Sequence, residues 1–361
     1  MENSILIAGA GANQIGIFEK AREMGIVTVA VDGDSKAVGF EYADHVESAN
    51  ILDSDVLAEI ATRYAVSGIY PAAELSVEAV AIAASTLGLP GVPPEVATRV
   101  RNKVALRDAL ERAGLPNPRY REVKTCADAI EAIDSIGYPC IIKPSDANSS
   151  KGVQQLNAAS EVQDAFELAV NYSFSDSALI EEYMPGDEYC VDGLVYQGNY
   201  IPGGITGKEV SPLPYRYDKG IFMPPQESTQ LCDTLERCAR DALSAVGFAN
   251  GTFHLEVIVS PEGPRIVEIA GRPGGGRIPT DLIPIVYGMD FMGDSIRIAI
   301  GQGPTSTRKH ERGVALYWFD ANSGVVTEIT GLEEAQALPG VREVVIQVQL
   351  GDTVQPIIDC V

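Results

Sequence analysis

Two acidic residues, Glu256 and Glu268, sit in a stretch whose pattern forces them together. Phe253-His254-Leu255-Glu256-Val257-Ile258-Val259 alternates apolar with mixed residues. A turn-rich Ser260-Pro261-Glu262-Gly263-Pro264 follows, and Arg265-Ile266-Val267-Glu268-Ile269 resumes the run. Two such runs around a short Gly/Pro turn predict a β-hairpin. A turn centred on Glu262 sets position 256 opposite position 268, each six residues from the centre. Side chains alternate between faces of a strand. Phe253, Leu255, Val257, Val259, Val267 and Ile269 then point into a core, while His254, Glu256, Ile258, Glu268 and Arg272 point the other way. Directly opposed carboxylates repel. A divalent cation removes that cost, and hard oxygen donors in this arrangement suit Mg²⁺. Two solvated acids on an open sheet face are the plainer alternative.

The 361 residues suggest two or three domains, at about 150 residues each. A net charge of −23 argues against a nucleic-acid or anionic-membrane partner, since both need basic patches. The six cysteines (126, 140, 190, 232, 238 and 360) show no CxxC and no Cys/His metal spacing, so reduced core thiols in a cytoplasmic protein are expected. No segment approaches the ~18 apolar residues of a membrane span, and Met1-Glu2-Asn3-Ser4 lacks the basic region of a signal peptide.

Strand, helix and strand alternate from Ile5-Leu6-Ile7-Ala8 through Val27–Val31 to Gly68-Ile69-Tyr70-Pro71 and an Ala-rich helix 76–87. That alternation predicts a parallel α/β layer over 1–95. A helix from Ala97 to Ala113 and the break Gly114-Leu115-Pro116-Asn117-Pro118 make 96–119 a linking segment. Residues 120–180 read as a small α/β subdomain and 181–308 as a larger antiparallel one with a helix at 229–246. Residues 309–361 read as a β-rich lobe of short strands (Val314–Phe319, Gly324-Val325-Val326, Val341–Leu350).

Lys143 ends an apolar strand, where a lysine is rarely buried without an anionic partner. The loop after it, Ser145 to Gly152, is small and polar and can offer backbone N–H groups to phosphate, or can be an ordinary turn. It lacks the Walker A spacing. Lys103 sits early in the helix after the Pro-rich break, where a lone lysine is usually a solvated charge. Glu181-Glu182-Tyr183-Met184-Pro185-Gly186-Asp187-Glu188 leaves a strand at Pro185-Gly186. Such a hinge can read an adenine edge, with Glu188 near a ribose hydroxyl. Arg272, four residues past Glu268, suits a clamp on a phosphate or a developing acyl phosphate, or a simple pairing with Glu268.

These pieces, in this order, resemble the ATP-grasp superfamily, and within it the L-amino-acid ligases and related carboxylate–amine ligases. The resemblance implies a multidomain α/β and α+β chain: an ATP-grasp fold with an N-terminal parallel α/β pre-ATP domain and a β-rich C-terminal lobe. It implies ATP held by Lys103, Lys143, Ser150, Gly152 and the hinge residues Glu181, Glu182, Tyr183, Met184 and Glu188, with Ile258 under the adenine. It implies Mg²⁺, with Mn²⁺ as the variant, at Glu256 and Glu268, and Arg272 as the catalytic group. His254 and Arg277 are the candidates for substrate contacts, and Gly203–Glu209 for a lid or a connecting loop. Partners would be a small-molecule carboxylate and an amine, without nucleic acid or membrane, in a state that admits a homodimer. Two departures stand out. Ala270 replaces the Asn that many relatives place two residues after the second glutamate, and their terminal lobe runs on past a point like Val361.

Other classes remain open at this stage. Gly9-x-Gly11-x4-Gly16 with Asp32 suggests a dinucleotide-dependent oxidoreductase, although the third glycine falls two residues late for GxGxxG. A non-catalytic nucleotide-binding protein of the same fold is a second alternative, and a purine-pathway-type ligase a third.

Overall fold

The computed structural model describes residues 3–147, 151–212, 217–226, 229–319 and 321–356. Strands β1 (Ser4–Ala8), β2 (Val27–Asp32), β3 (His45–Ser48) and β4 (Gly68–Pro71) form a parallel sheet in the order β3-β2-β1-β4. Its central strand is apolar on both faces, as a sheet covered on both sides requires. Ile5 and Ile7 enter one core with Ile17, Phe18 and Ala21. Leu6 and Ala8 enter another with Leu57, Ile60 and Val80. Helix Phe291–Ala299, from far along the chain, completes the first of these cores through Met292 and Ile296.

The glycine turn after β1 does not follow the dinucleotide pattern. Asp32 Oδ2 accepts from the Ala10 amide at 2.7 Å and Oδ1 from the Asp34 amide at 2.9 Å. The acid that would hold a ribose hydroxyl in such a fold braces its own loop instead.

The helix expected over 97–113 is two helices, Pro94–Arg101 and Lys103–Arg112. Asn102 is extended (φ −87°, ψ 113°), and its side chain accepts from the Ala105 amide as the N-cap of the second. The break sets Lys103 at the first position of a new helix, 9% exposed rather than solvated. Val96, Val100, Leu106 and Leu110 of this pair pack into the core of the large sheet, so the segment read as a linker is part of that core.

Strands β5 (Tyr120–Val123), β6 (Cys140–Pro144), β7 (Gln154–Leu156) and β8 (Ala178–Glu182) form an antiparallel sheet in the order β5-β8-β6-β7. Helices Cys126–Ile136 and Val162–Tyr172 cover one face of it. The largest sheet is antiparallel and runs β13-β12-β9-β10-β11-β14. Its strands are β9 (Asp187–Tyr196), β10 (Asn199–Val210), β11 (Asp218–Met223), β12 (Gly251–Ser260), β13 (Gly263–Ala270) and β14 (Val314–Tyr317). One face packs on helices Thr229–Val246 and Lys103–Arg112. Segment 203–209 is neither lid nor loop, because it lies within the twelve-residue β10 paired on both sides.

The β12–β13 hairpin does pair Glu256 with Glu268, by a different route from the expected one. The tip pairs Ser260 with Gly263, so Pro261-Glu262 is a two-residue turn whose register alone would set Glu256 against Val267. A bulge next to Glu256 absorbs one residue of β13 and restores the Glu256–Glu268 pairing. Ile266 therefore takes the core place expected of Val267: it is 2% exposed and Val267 is only half-buried.

In the last lobe, Gly324–Val325 pairs with Thr353–Val354, and Leu332–Gln336 is a short helix. The strand expected over 341–350 is absent among the described residues; no neighbouring edge pairs with it there, and an unpaired strand cannot satisfy its backbone. Among the described residues, no helix is long and apolar enough to cross a membrane. Cys126, Cys140, Cys190, Cys232 and Cys238 are free thiols, and Cys360 lies outside the described residues.

Candidate active site

The face of the large sheet opposite its helices carries the even-numbered residues of β9, β10 and β12. The ladder sets Glu268, Glu256, Cys190 and Thr206 in one row. His254 and Asp192 pair in the next row, and Ile258 and Glu188 in the row on the other side.

Glu256 lies in a dense charge cluster. Lys208 Nζ is 2.9 Å from Glu256 Oε1 and 3.3 Å from Asp218 Oδ1. His254 Nδ1 is 2.9 Å from Asp192 Oδ1, and its Nε2 lies 3.7 Å from Glu256 Oε1. Burial alone would raise the Glu256 carboxyl, but Lys208 and His254 outweigh it and hold the group well below the usual range. Burial would likewise lower His254, and the Asp192 carboxylate outweighs it, so the ring is held protonated well above its ordinary value. Glu268 stands more open, with Lys103 Nζ at 3.6 Å.

Across the cleft, Lys143 Nζ is 2.6 Å from Glu181 Oε2. Arg107, fully buried, donates from Nε to Glu181 Oε1 at 2.6 Å. It also donates to the Ile266 and Val267 carbonyls at 2.8 and 3.1 Å, so it closes the bulge that presents Glu268. Burial would raise the Glu181 carboxyl, but Arg107 and Lys143 bring it down to about 2. Burial lowers Lys143 to about 8; Glu181 opposes the fall, while Arg107 and Lys103 add to it. Lys103 is tethered by its amide to Ser145 O (2.8 Å) and by Nζ to Ala147 O (2.6 Å). One helix start thus sets both a lysine and the backbone of the loop after β6.

The hinge leaves β8 after Glu182 and turns at Gly186, whose φ is +153°. A Cβ there would meet Val259 O at 2.2 Å and Ile258 Cγ2 at 3.0 Å, so only glycine lets the hinge lie on Ile258. This sets Gly186 and Glu188 against Ile258, while Met184 is buried and Tyr183 half-buried earlier in the hinge. The side chains of Glu181 and Glu182 are committed elsewhere: Glu181 as above, Glu182 to the amide and Nε of Arg119 at 3.3 Å. Any reading of adenine at those two positions falls to the backbone. Gly152 has φ +71° and packs on Pro144 and Tyr172, while Ser150 lies outside the described residues.

Two arginines are placed differently from the sequence expectation. β13 ends at Ala270, so Arg272 is not on the Glu268 face; its Nε lies 2.5 Å from Glu74 Oε2, and Glu74 shares a crevice with Lys103, Asp146 and Glu268. Arg277 has φ +59° and is held by Asp281 (2.9 Å) and Glu343 (2.7 Å). Neither Arg107 nor Lys208 was singled out from the sequence. The signal for Arg107 was its i+4 spacing from Lys103 on one helix face; that for Lys208 was hidden by reading its strand as a loop.

Gly274 caps the His254–Asp192 pair. A Cβ there would lie 2.6 Å from His254 Nδ1 and 2.7 Å from Asp192 Oδ1, both buried and bonded to each other. Gly274→Ala is expected to push the pair apart and destabilise by about 1–3 kcal/mol. An unchanged thermal midpoint would show that the site relaxes freely.

Residues 136–281 match the ATP-grasp domain family model, and residues 317–360 match L-amino acid ligase C-terminal domain 2. The first of these stretches is similar to the ATP-grasp domain family. The formate-dependent phosphoribosylglycinamide formyltransferase of Wolinella succinogenes is 28% identical over 284 residues, 75% of this chain and 70% of that protein. The L-arginine-specific L-amino acid ligase of Bacillus subtilis is 27% identical over 281 residues, 75% of this chain and 67% of that one. The crystal structure of an L-amino acid ligase from Bacillus licheniformis superposes with a TM-score of 0.85, covering 98% of this chain and 90% of that one at 22% identity. The ATP-grasp fold and its pre-ATP sheet are therefore as expected.

Proposed function

We propose that this protein of ATP-grasp fold is an ATP-dependent carboxylate–amine ligase that forms an amide and releases ADP and phosphate. The observation that carries the reading is the convergence of two opposed carboxylates, Glu256 and Glu268, with Lys103 and Lys143 beside a hinge packed on Ile258. Hard oxygen donors on one face fit Mg²⁺. Bound there, the ion neutralises phosphate charge during phosphoryl transfer. The chain's own part is positioning. Lys143 and Lys103 hold phosphate oxygens, and the hinge backbone with Glu188 and Ile258 holds the nucleoside. Arg272, if it leaves Glu74, reaches the transferring phosphoryl group. Lys208 and the charged His254 offer cations to the carboxylate substrate.

The match of 317–360 to an L-amino acid ligase terminal domain favours amino-acid-like substrates over a purine-pathway metabolite. The same reading includes a cytoplasmic setting and small-molecule partners, and sedimentation would reveal a homodimer. Mass spectrometry of reactions with paired amino acids tests it. An amide with one ADP and one phosphate per bond is expected. AMP with pyrophosphate would overturn the acyl-phosphate route.

The position of Lys143 gives a second test. Its ammonium form binds phosphate, and in the free protein that form is lost as pH rises through about 8. Binding above that point must draw in a proton, so ATP affinity should fall by up to about tenfold per pH unit. Calorimetry at about pH 7 and about pH 9 should show this weakening in the wild type and much less in Lys143→Met. Equal slopes in the two proteins would remove Lys143 from the phosphate site.

A further inference from the structure

Cys190 and Thr206 are the members of the Glu256 row that the ligase reading does not use. Cys190 is directly paired with Glu256 across β9 and β12, and its thiol lies beside the His254 ring. One donor atom from each of Cys190, His254 and Glu256 lies within 4.8 Å of the other two. This triad mixes a thiol and an imidazole with the carboxylate, a donor set that hard magnesium does not select. We propose that Cys190, His254 and Glu256 bind a single thiophilic divalent cation of the zinc class, in a site that shares Glu256 with the magnesium position.

Three further observations point to a ligand site. First, Asp192 Oδ1 bonds His254 Nδ1, which leaves Nε2 aimed at Glu256. That is the carboxylate–histidine arrangement that orients a metal-binding ring and fixes its tautomer. Second, Thr206 is the next residue along the row after Cys190, fully buried. Its Oγ1 has no hydrogen-bond partner among the described residues, which leaves an oxygen for a fourth position. Third, the ammonium on Glu256 has somewhere else to go, because Lys208 Nζ is already 3.3 Å from Asp218 Oδ1.

Zinc bonds of about 2.0–2.3 Å need donor separations of about 3.3–3.8 Å. Donors within 4.8 Å therefore close on an ion by shifts on the order of an ångström. Binding displaces the proton of the Cys190 thiol and one proton of the His254 ring, so it is favoured as pH rises. The consequence for the enzyme rests on Glu256 being a magnesium ligand: the soft ion takes that carboxylate and slows turnover.

Cobalt(II) titrated into the reduced full chain, without nucleotide, tests the site apart from the ligase reading. One equivalent should bind, with four-coordinate visible bands and a thiolate-to-cobalt charge-transfer band. Cys190→Ser should abolish the charge-transfer band, and Asp192→Asn should weaken binding by about 10–100-fold. Cys238→Ser, a thiol elsewhere in the fold, should change nothing. A wild-type spectrum without the thiolate band, or a band that survives Cys190→Ser, overturns the site. In a second arm, zinc chloride with saturating magnesium and ATP should slow the wild type more than Cys190→Ser. Thiolate-bound cobalt with zinc-insensitive turnover would overturn the sharing of Glu256 while leaving the three-ligand site in place.

Discussion

Arg107→Met is expected to destabilise the protein by about 3–5 kcal/mol, because it strips a buried carboxylate of one of its two cations. Glu181 would keep only Lys143, and the carbonyls of Ile266 and Val267 would lose their donor. The double substitution Arg107→Met/Glu181→Gln should recover little of that loss, since it leaves Lys143 buried without its carboxylate. Denaturant unfolding measures both. A single mutant within about 1 kcal/mol of wild type would mean that the cleft hydrates easily. The same triad sets an acid limit. Glu181 ionises at about 2 in the fold against an ordinary 4.5, so its contribution is full above about 4.5 and is lost as pH falls through about 2.

The two opposed glutamates should separate in behaviour, although they face each other. Glu268→Gln is expected to cut turnover by about a hundredfold or more, since even residues that only orient ligands cost 10–100-fold. Its stability should stay within about 0.5 kcal/mol, because Glu268 is partly exposed and its ion pair among the described residues, to Lys103, is 3.6 Å long. Glu256→Gln should cost both turnover and stability. It takes from buried Lys208 the carboxylate 2.9 Å away and removes a charge that faces protonated His254. Turnover against magnesium concentration, with melting of each variant, checks this. Glu268→Gln turning over at wild-type rate at modest magnesium would discard the carboxylate pair as the metal site.

That asymmetry could not be read from the sequence. The alternation of 253–269 carries the hairpin and the facing of the two acids, because strand period and turn chemistry are local properties. The bulge that swaps Val267 for Ile266 in the core is not local: it is held by Arg107, a hundred and sixty residues away. The break at Asn102 was legible in principle, since Asn favours the N-cap; the apolar period running through it masked the signal. Segment 203–209 looked like a loop because glycines weaken strands. Here Gly203, Gly204 and Gly207 leave room for Phe291, Met223 and Phe222, whose atoms lie within 3.0 Å of where a Cβ would stand. The pairing of Arg272 with Glu74 joins two domains, and no periodicity reports a contact of that kind.

Helix Phe291–Ala299 ties the beginning of the chain to its last third. Tyr70 on β4 bonds Ser295 Oγ at 2.6 Å, and Met292 and Ile296 lie against Ile5, Ile7 and Phe18. On a ribosome adding about 5–20 residues per second, this helix emerges roughly 10–45 s after β4. Through that interval the nascent parallel sheet has one face only half roofed, and its apolar edge is open to chaperones and to other unfinished chains. A sheet made early in this chain is sealed by a helix made late in it.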